Sequence, residues 1–169
     1  MPNWVTNRVT FNGSKESLRV VRETVFDHES KNPFSLNAIR PMPDYIYKGN
    51  VGRDEFEKYG KNNWYDWSVE NWGTKWDVDS PEVIIDRDDE LEYVFQTAWS
   101  TPARAMEYLR GRIPKDVSFK VVYADEDLGS NCGEYYYDPK NGFEEWYPDD
   151  NEAYEFACDV WGYDPNEWE

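Results

Sequence analysis

Histidine and cysteine, the side chains that most often build metal sites and nucleophilic catalysts, are scarce in this chain of 169 residues. The sequence has one histidine, His28, and two cysteines, Cys132 and Cys158, which stand far apart. These ligands are too few for a zinc site. The sequence also lacks the GxxxxGK phosphate loop, the GxSxG nucleophile motif and the HExxH metal motif. We predict a protein that is not an enzyme and needs no metal or cofactor.

One loop carries oxygen ligands in an order similar to that of a calcium-binding loop. Asp125, Asp127 and Asn131 could each contribute a side-chain oxygen. The loop lacks the glycine at its sixth position and the glutamate at its twelfth that calcium loops of this kind require. We therefore predict a solvated turn here and no metal site.

Long apolar runs are absent as well, since no stretch approaches the roughly 18 apolar residues of a membrane-spanning helix. The N-terminal segment lacks the basic start and the apolar run of a secretion signal. We expect a soluble, cytoplasmic protein with reduced thiols and no contact with membranes. A chain of this length has the size of one domain and can bury roughly 70% of its unfolded surface.

Basic residues almost disappear from the last quarter of the chain. Residues 1–124 contain 20 acidic and 17 basic residues, whereas residues 125–169 contain 15 acidic residues and Lys140 alone. Most of the net charge of -17 therefore lies after residue 124. Such a field repels nucleic acid and anionic membranes and attracts basic protein surfaces. A role in solubility alone would account for the same charge.

Tryptophan is concentrated in residues 63–77, which read NWYDWSVENWGTKWD. Tyr65, Val69 and Trp72 repeat at helical spacing and predict a short helix, which Gly73 would end before an extended segment. The rings could form part of the core, which we favour and in which Trp72 would be among the most buried residues, or they could line a pocket. The residues of the candidate aromatic pocket are Trp64, Tyr65, Trp67, Asn71, Trp72, Lys75 and Trp76.

Hydrophobic periodicity along the chain predicts an α+β fold. Strands are predicted at residues 4–11, 34–39, 83–85, 91–99, 117–123 and 133–137, and helices at residues 17–27, 65–72, 102–113 and 151–161. Their order is that of a ferredoxin-like split βαβ sandwich, an antiparallel sheet with helices on one face. Residues 1–124 would form this core with a Trp-rich insertion (44–78), whose residues 44–62 show no regular pattern. Residues 125–169 would add an acidic hairpin and a C-terminal helix packed on the same domain.

Three segments carry a family resemblance. They are MPNWVTNRVTFNG at residues 1–13, NWYDWSVENWGTKWD at residues 63–77 and FQTAWSTP at residues 95–102. Together they resemble the YubB-like family of plasmid and prophage proteins, over residues 1–124. The resemblance implies a ferredoxin-like domain carried on bacterial mobile elements, and the family has no established enzymatic role that could be carried over to this chain. Residues after Tyr123 are more acidic than this family implies.

The charge leads to a first functional hypothesis, that of a mobile-element inhibitor. Fixed carboxylates can imitate duplex DNA, which presents about one charge per 1.7 Å of axis. The partner would be a host defence protein that handles DNA or RNA, as in anti-restriction or anti-CRISPR proteins, and it would be bound through its basic nucleic-acid-binding surface. The chain itself would not bind nucleic acid. The candidate acidic residues are Asp125, Glu126, Asp127, Glu134, Asp138, Glu144, Glu145, Asp149, Asp150, Glu152, Glu155 and Asp159.

Two further hypotheses remain open at the level of the sequence. In one, the candidate aromatic pocket stacks a nucleotide-like small molecule, so that the chain acts as a sponge for a signal, with Lys75 meeting a phosphate. In the other, the chain is a structural or interaction protein without a ligand. The sequence leaves both a monomer and a symmetric dimer open.

Overall fold

The computed structural model describes residues 1–167, which form one six-stranded antiparallel sheet and six helices. The strands are β1 (Trp4–Asn12), β2 (Asp79–Asp86), β3 (Glu90–Ala98), β4 (Ser118–Asp125), β5 (Cys132–Asp138) and β6 (Gly142–Trp146). The helices are α1 (Lys15–Val25), α2 (Leu36–Ile39), α3 (Arg53–Tyr59), α4 (Trp64–Asn71), α5 (Ala103–Leu109) and α6 (Ala153–Trp161). The last two residues of the predicted C-terminal region, 125–169, lie outside the described residues.

The strand order confirms the predicted α+β class and the ferredoxin-like sandwich. The sheet runs β2-β3-β1-β4-β5-β6, and its first four strands are connected in the sequence as β1-α1-β2-β3-α5-β4. β1 is the central strand of this unit, with Val9 opposite Tyr93 of β3 on one side and Val121 of β4 on the other. Helices α2, α3 and α4 are inserted between α1 and β2, and β5, β6 and α6 extend the unit beyond β4.

The main core lies on one face of the sheet, because alternate residues of a strand point to opposite faces. Val9 and Phe11 of β1 are fully buried there against residues of α1 and α5 such as Leu18 and Met106. On the opposite face, Ala124 of β4 belongs to a second, smaller cluster with Ala157 and other residues of α6. The helices of the ferredoxin-like unit therefore share one face, as predicted, whereas the C-terminal helix covers the other.

The predicted strand at residues 34–39 is wrong, because its second half forms the short helix α2. Ser35 caps this helix by accepting a hydrogen bond from the Ala38 amide, and Asp77 accepts another from the Leu36 amide at 2.7 Å. Ser35, Leu36 and Ile39 are buried. The alternation of apolar residues in this segment thus comes from packing of a helical turn and not from a strand.

Two regular elements were not predicted. The first is α3, which forms within residues 44–62 although these residues show no regular periodic pattern, and which Gly60 caps at its C-terminal end. The Tyr47 and Tyr59 rings stack there, with centroids 4.5 Å apart. At the other end of the chain, β6 pairs with β5 as a sixth strand, with Glu145 opposite Tyr135. Both elements are mostly exposed, so the hydrophobic pattern on which sequence prediction depends is weak in them.

The Trp-rich segment begins as predicted and then departs from the prediction. Helix α4 ends at Asn71, and Gly73 follows in the left-handed region with φ +85°. Trp72 is 5% exposed and belongs to the main core, which confirms the prediction for this ring. Trp76, however, lies in a bent connection, because β2 starts only at Asp79.

Candidate functional site

Most of the candidate acidic residues lie on the side of the sheet that α6 covers. Glu134 of β5 is opposite Val122, which packs in the same cluster as α6, and directly opposed residues of an antiparallel pair share a face. Glu144 of β6 is opposite Tyr136, which lies two residues after Glu134 and therefore on that face. We name the α6 acidic surface for the following residues: Glu134, Glu144, Asp149, Asp150, Glu152, Glu155 and Asp159. All of them except Glu134 are exposed.

Strand pairing and packing fix the backbone that carries these acids. The Trp146 ring of β6 contacts the Phe156 ring of α6, with centroids 5.5 Å apart. At the other end of the helix, Arg8 of β1 donates from Nε to the Val160 carbonyl at 2.9 Å, and Trp161 donates from Nε1 to the Ala124 carbonyl at 2.9 Å. Four of the carboxylates therefore project from ordered strands and an ordered helix, and the other three lie in the short connection between β6 and α6, in contrast to a disordered acidic tail.

The carboxylates of the α6 acidic surface have no cationic partner in the structure. Six ion pairs form among residues 1–167, and the acid of every pair lies at or before Glu92. Lys140 is the one basic residue after residue 124, and it joins none of these pairs. This surface therefore carries negative charge that the protein does not neutralise.

The candidate residues Asp125, Glu126 and Asp127 lie elsewhere, where β4 ends beside the start of β1. The Asp125 carboxylate is 5% exposed and accepts hydrogen bonds from Asn3 Nδ2 at 3.1 Å, Asn131 Nδ2 at 3.1 Å and the Asp127 amide at 2.9 Å. These bonds close the β4-β5 loop. Among residues 1–167, no group of three or more histidine, cysteine, aspartate or glutamate side chains is arranged to hold a metal ion.

Glu145 lies on the opposite face of β6 from Glu144 and lines a cleft of about 330 Å³ between α5 and the β5-β6 hairpin, which Glu134 also lines. It accepts a hydrogen bond from the Tyr147 hydroxyl at 3.0 Å, and this bond raises the pKa of Tyr147. Burial raises the pKa of Tyr123 to about 12 and also raises the pKa of Tyr135. The remaining candidate acid, Asp138, accepts a hydrogen bond from the Lys140 amide at the β5-β6 turn.

The residues of the candidate aromatic pocket do not converge on one cavity. Trp72 is a core residue whose Nε1 donates to the Arg40 carbonyl at 3.0 Å, and the Trp67 ring packs edge-on against it at 5.3 Å. Trp64 donates from Nε1 to the Gly49 carbonyl of the insertion. Asn71 donates to the Trp67 carbonyl within its own helix.

The remaining three, Tyr65, Lys75 and Trp76, meet two tryptophans that the sequence analysis did not select. We name the aromatic patch for Trp4, Tyr65, Trp76 and Trp99. The Trp4 and Trp76 centroids are 6.1 Å apart, and those of Tyr65 and Trp99 are 6.4 Å apart. The Lys75 ammonium lies 4.4 Å from the Trp76 centroid and 4.8 Å from the Trp99 centroid. Trp76 is 37% exposed and Trp99 is 44% exposed, so the patch is open to solvent.

Trp99 adopts a backbone conformation that is rare for a bulky residue, with φ +70°. Hydrogen bonds on both sides hold it there, since its amide donates to the Asn3 carbonyl at 2.8 Å and its carbonyl accepts from Asn131 Nδ2 at 2.9 Å. Such conformations persist where the surroundings over-determine them, and they cluster at functional sites.

Comparisons with known proteins agree with this fold. A family model for the ferredoxin-like domain in Api92-like protein matches residues 71–164. The chain belongs to this family. The structure is also similar to the crystal structure of protein api92 from Yersinia pseudotuberculosis, with a TM-score of 0.56 and 10% sequence identity, over 88% of this chain and 99% of that chain. A likeness at this identity supports the fold alone. No curated protein matches the sequence.

Within residues 1–167, no helix combines the length and the apolar character that crossing a bilayer requires.

Proposed function

We propose that this protein is a non-enzymatic inhibitor that binds a basic, nucleic-acid-binding surface of another protein through the α6 acidic surface. The observation that carries the proposal is a set of seven carboxylates on β5, β6, α6 and the connection between β6 and α6, none of which forms an ion pair among residues 1–167. In a partner whose basic groove binds the phosphates of nucleic acid, these fixed carboxylates would bind where the phosphates bind.

The order of the scaffold supports a specific partner over a role in solubility alone. Solubility needs charge of one sign but not a fixed arrangement, whereas competition with DNA needs charges held in place. Here α6 is held by the Trp146–Phe156 contact and by Arg8 at its C-terminal end. The exposed Trp146 ring beside these acids is a side chain of a type that is enriched at protein interfaces.

The biological setting belongs to the same proposal. The resemblance of residues 1–124 to the YubB-like family favours a protein encoded on a plasmid or prophage and acting in the bacterial cytoplasm. A mobile element gains from blocking host proteins that cut or bind its DNA. We therefore propose a defence protein that handles DNA or RNA as the partner class, which includes restriction and CRISPR components.

The experiment is capture of partners from a bacterial lysate by the purified protein, with identification by mass spectrometry. The capture is compared with that by a variant in which four exposed acids of the α6 acidic surface are neutralised together (Glu144→Gln, Asp150→Asn, Glu155→Gln, Asp159→Asn). We expect a DNA- or RNA-binding protein in the wild-type capture, released by high salt and by excess duplex DNA. The variant should lose this partner and keep its thermal unfolding transition.

A matched control separates the site from the total charge. Asp44, Asp54, Asp88 and Asp89 are exposed, lie outside the α6 acidic surface and form no ion pair among residues 1–167. Changing all four to asparagine removes the same charge, and this control should keep the partner. Equal loss of binding in both variants would mean that only net charge matters. Retention of the partner by the α6 variant, with no competition by DNA, would exclude the proposed function.

A further inference from the structure

The aromatic patch presents indole rings to solvent beside acidic residues. Trp4, which packs on Trp76, is bonded through its amide to the Glu126 carboxylate at 2.6 Å. Asp127 follows in the same loop, and both acids are exposed. Exposed tryptophan next to unneutralised carboxylates is a combination that suits a cationic ligand, because the ring faces and the carboxylates attract the same charge.

The structure already contains one cation in this patch, the protein's own Lys75. Its ammonium is within 4.8 Å of two ring centroids, Trp76 and Trp99, and it joins none of the six ion pairs among residues 1–167. In a chain with a net charge of -17, this lysine therefore lies on ring faces and not on a carboxylate. The position over the two indoles is thus a cation-binding position.

We propose that the aromatic patch binds an arginine or lysine side chain of a basic partner segment, and that Lys75 occupies the position until the partner's cation replaces it. This inference deepens the proposed function, on which it rests for the basic character of the partner. Arginine suits the position better than lysine, because its planar guanidinium stacks on aromatic faces and is more weakly hydrated.

The patch is built to keep its shape when a ligand arrives. Ser68 of α4 donates a hydrogen bond to the Lys75 carbonyl at 2.7 Å, and Thr74 donates to the Ala98 carbonyl at 2.7 Å. Trp99 is held by backbone and side-chain bonds on both sides. A binding site whose rings are already fixed loses little conformational entropy on binding, which is the property of aromatic anchors at interfaces.

The patch also adjoins the α6 acidic surface. The loop that carries Glu126 and Asp127 continues to Gly129, where an added Cβ would lie 3.6 Å from the Tyr154 backbone of α6. One extended basic segment could therefore place a cation in the patch while its other charges face the acids of α6. The patch would supply an anchor, and the α6 acidic surface would supply attraction at longer range.

The effect of Lys75 distinguishes a cationic ligand from a nucleotide. If the ligand is a cation, Lys75 competes with it for the rings, so removing the ammonium strengthens binding. If the ligand is a base with a phosphate, Lys75 attracts the phosphate, so removing the ammonium weakens binding. The same substitution thus gives opposite results for the two classes of ligand.

The experiment titrates the purified protein with a capped peptide of alternating arginine and glycine and follows the indole N–H signals by NMR. The Trp76 and Trp99 signals are assigned with Trp76→Phe and Trp99→Gly variants. We expect the peptide to move these two signals. We also expect Lys75→Gln to bind the peptide about two- to five-fold more tightly than Lys140→Gln, a control that removes the same charge at a position away from the patch. Trp99→Gly should bind about two- to five-fold more weakly than wild type. Glycine is chosen because it accepts φ +70° without strain, so this variant stays folded.

Two results would overturn the inference. One is that Lys75→Gln binds the peptide no more tightly than Lys140→Gln. The other is that a nucleoside monophosphate moves the Trp76 and Trp99 signals and the arginine peptide does not. The proposed function would survive either result, because it depends on capture of a partner that the neutralised α6 variant loses. Conversely, binding of the captured partner to the neutralised α6 variant as tightly as to the wild type would contradict the proposed function. The peptide titration would still show whether the aromatic patch binds a cation.

Discussion

The carboxylates of residues 1–124 and those of the α6 acidic surface differ in what they contact. In the first region, carboxylates form all six ion pairs found among residues 1–167. Other carboxylates there accept hydrogen bonds from backbone amides, as Asp77 does at α2 and Asp116 does at the start of α1. The seven carboxylates of the α6 acidic surface contribute to none of these pairs. Part of the first set is thus used for folding, whereas the α6 acidic surface keeps charge that no cation neutralises within residues 1–167.

One tryptophan from each region, Trp72 and Trp146, shows a difference in the same direction. Trp72 is 5% exposed in the main core and donates a hydrogen bond from its ring, whereas Trp146 on the edge strand β6 is 45% exposed and contacts Phe156. A large side chain that is buried contributes to stability through its whole surface, and one at an exposed edge contributes through one contact. Substitutions can therefore test whether the two regions differ in energy as they differ in contacts.

The largest expected effect is that of Trp72→Ala. Removing a buried aromatic ring leaves a cavity and an unpaired Arg40 carbonyl, so the free energy of unfolding should fall by about 3–5 kcal/mol. Trp146→Ala should lower it by only about 1 kcal/mol, the value of one aromatic contact. Urea unfolding followed by circular dichroism measures both. Trp72→Phe keeps the larger part of the ring, so its loss in free energy of unfolding should fall between those of the two alanine variants. Equal losses for the two alanine variants would contradict the difference between the regions.

A smaller effect is expected at Asp77, which stabilises α2 from a position 41 residues along the chain from Leu36. Its carboxylate accepts hydrogen bonds from the Ser35 hydroxyl at 2.8 Å and from the Leu36 amide at 2.7 Å. Bonds to a charged acceptor are stronger than neutral ones, so Asp77→Ala should lower the free energy of unfolding by about 2 kcal/mol. Asp149→Ala, the matched change in the α6 acidic surface, should stay within about 0.5 kcal/mol of wild type. A comparable loss at Asp149 would show that the acidic surface is needed for folding.

The same long-range contact explains why sequence prediction failed at residues 34–39. Strands β1, β3 and β4 have strong alternation, and α1, α5 and α6 have clear helical periodicity, so local pattern suffices for them. At α2 the deciding partner, Asp77, is distant in the sequence. At β6 the residues are exposed, and pairing with β5 decides the conformation without leaving a hydrophobic pattern.

The acidic residues of the candidate sites could be predicted from the sequence more completely than the aromatic ones, because the aromatic residues meet only through contacts that are distant in the sequence. Composition revealed the acids after residue 124, because charge can be counted without a structure. It could not separate Asp125, which is buried in a loop network, from the exposed Asp150. It also missed Trp4 and Trp99, since they join Trp76 only through the fold and Trp99 depends on a rare backbone conformation. The available signal was the position of Trp99 directly before the Ser-Thr-Pro start of α5.

The smallest expected effect concerns how Asp116 responds to pH. A hydrogen bond from the Ser17 hydroxyl, followed by one from the Ser14 amide, lowers the pKa of Asp116 below its ordinary value of 3.8. A carboxyl whose pKa is lowered in the folded state adds stability above its unfolded pKa, and this contribution is lost as the pH falls through the folded pKa. Asp116→Asn should therefore melt slightly below wild type near neutral pH and together with it at strongly acidic pH.

The measurement is a series of thermal unfolding curves for wild type and Asp116→Asn from neutral pH to well below the ordinary carboxyl pKa of 3.8, because the folded pKa lies lower still. Both proteins carry the same α6 acidic surface, so the loss of its repulsion on acidification cancels in the difference. In a Ser17→Ala background the main donor is absent, and the pH-dependent difference should shrink. A difference that persists at the lowest pH would mean that Asp116 acts through its size or polarity. Its charge would then be as dispensable for folding as we infer for the acids of α6.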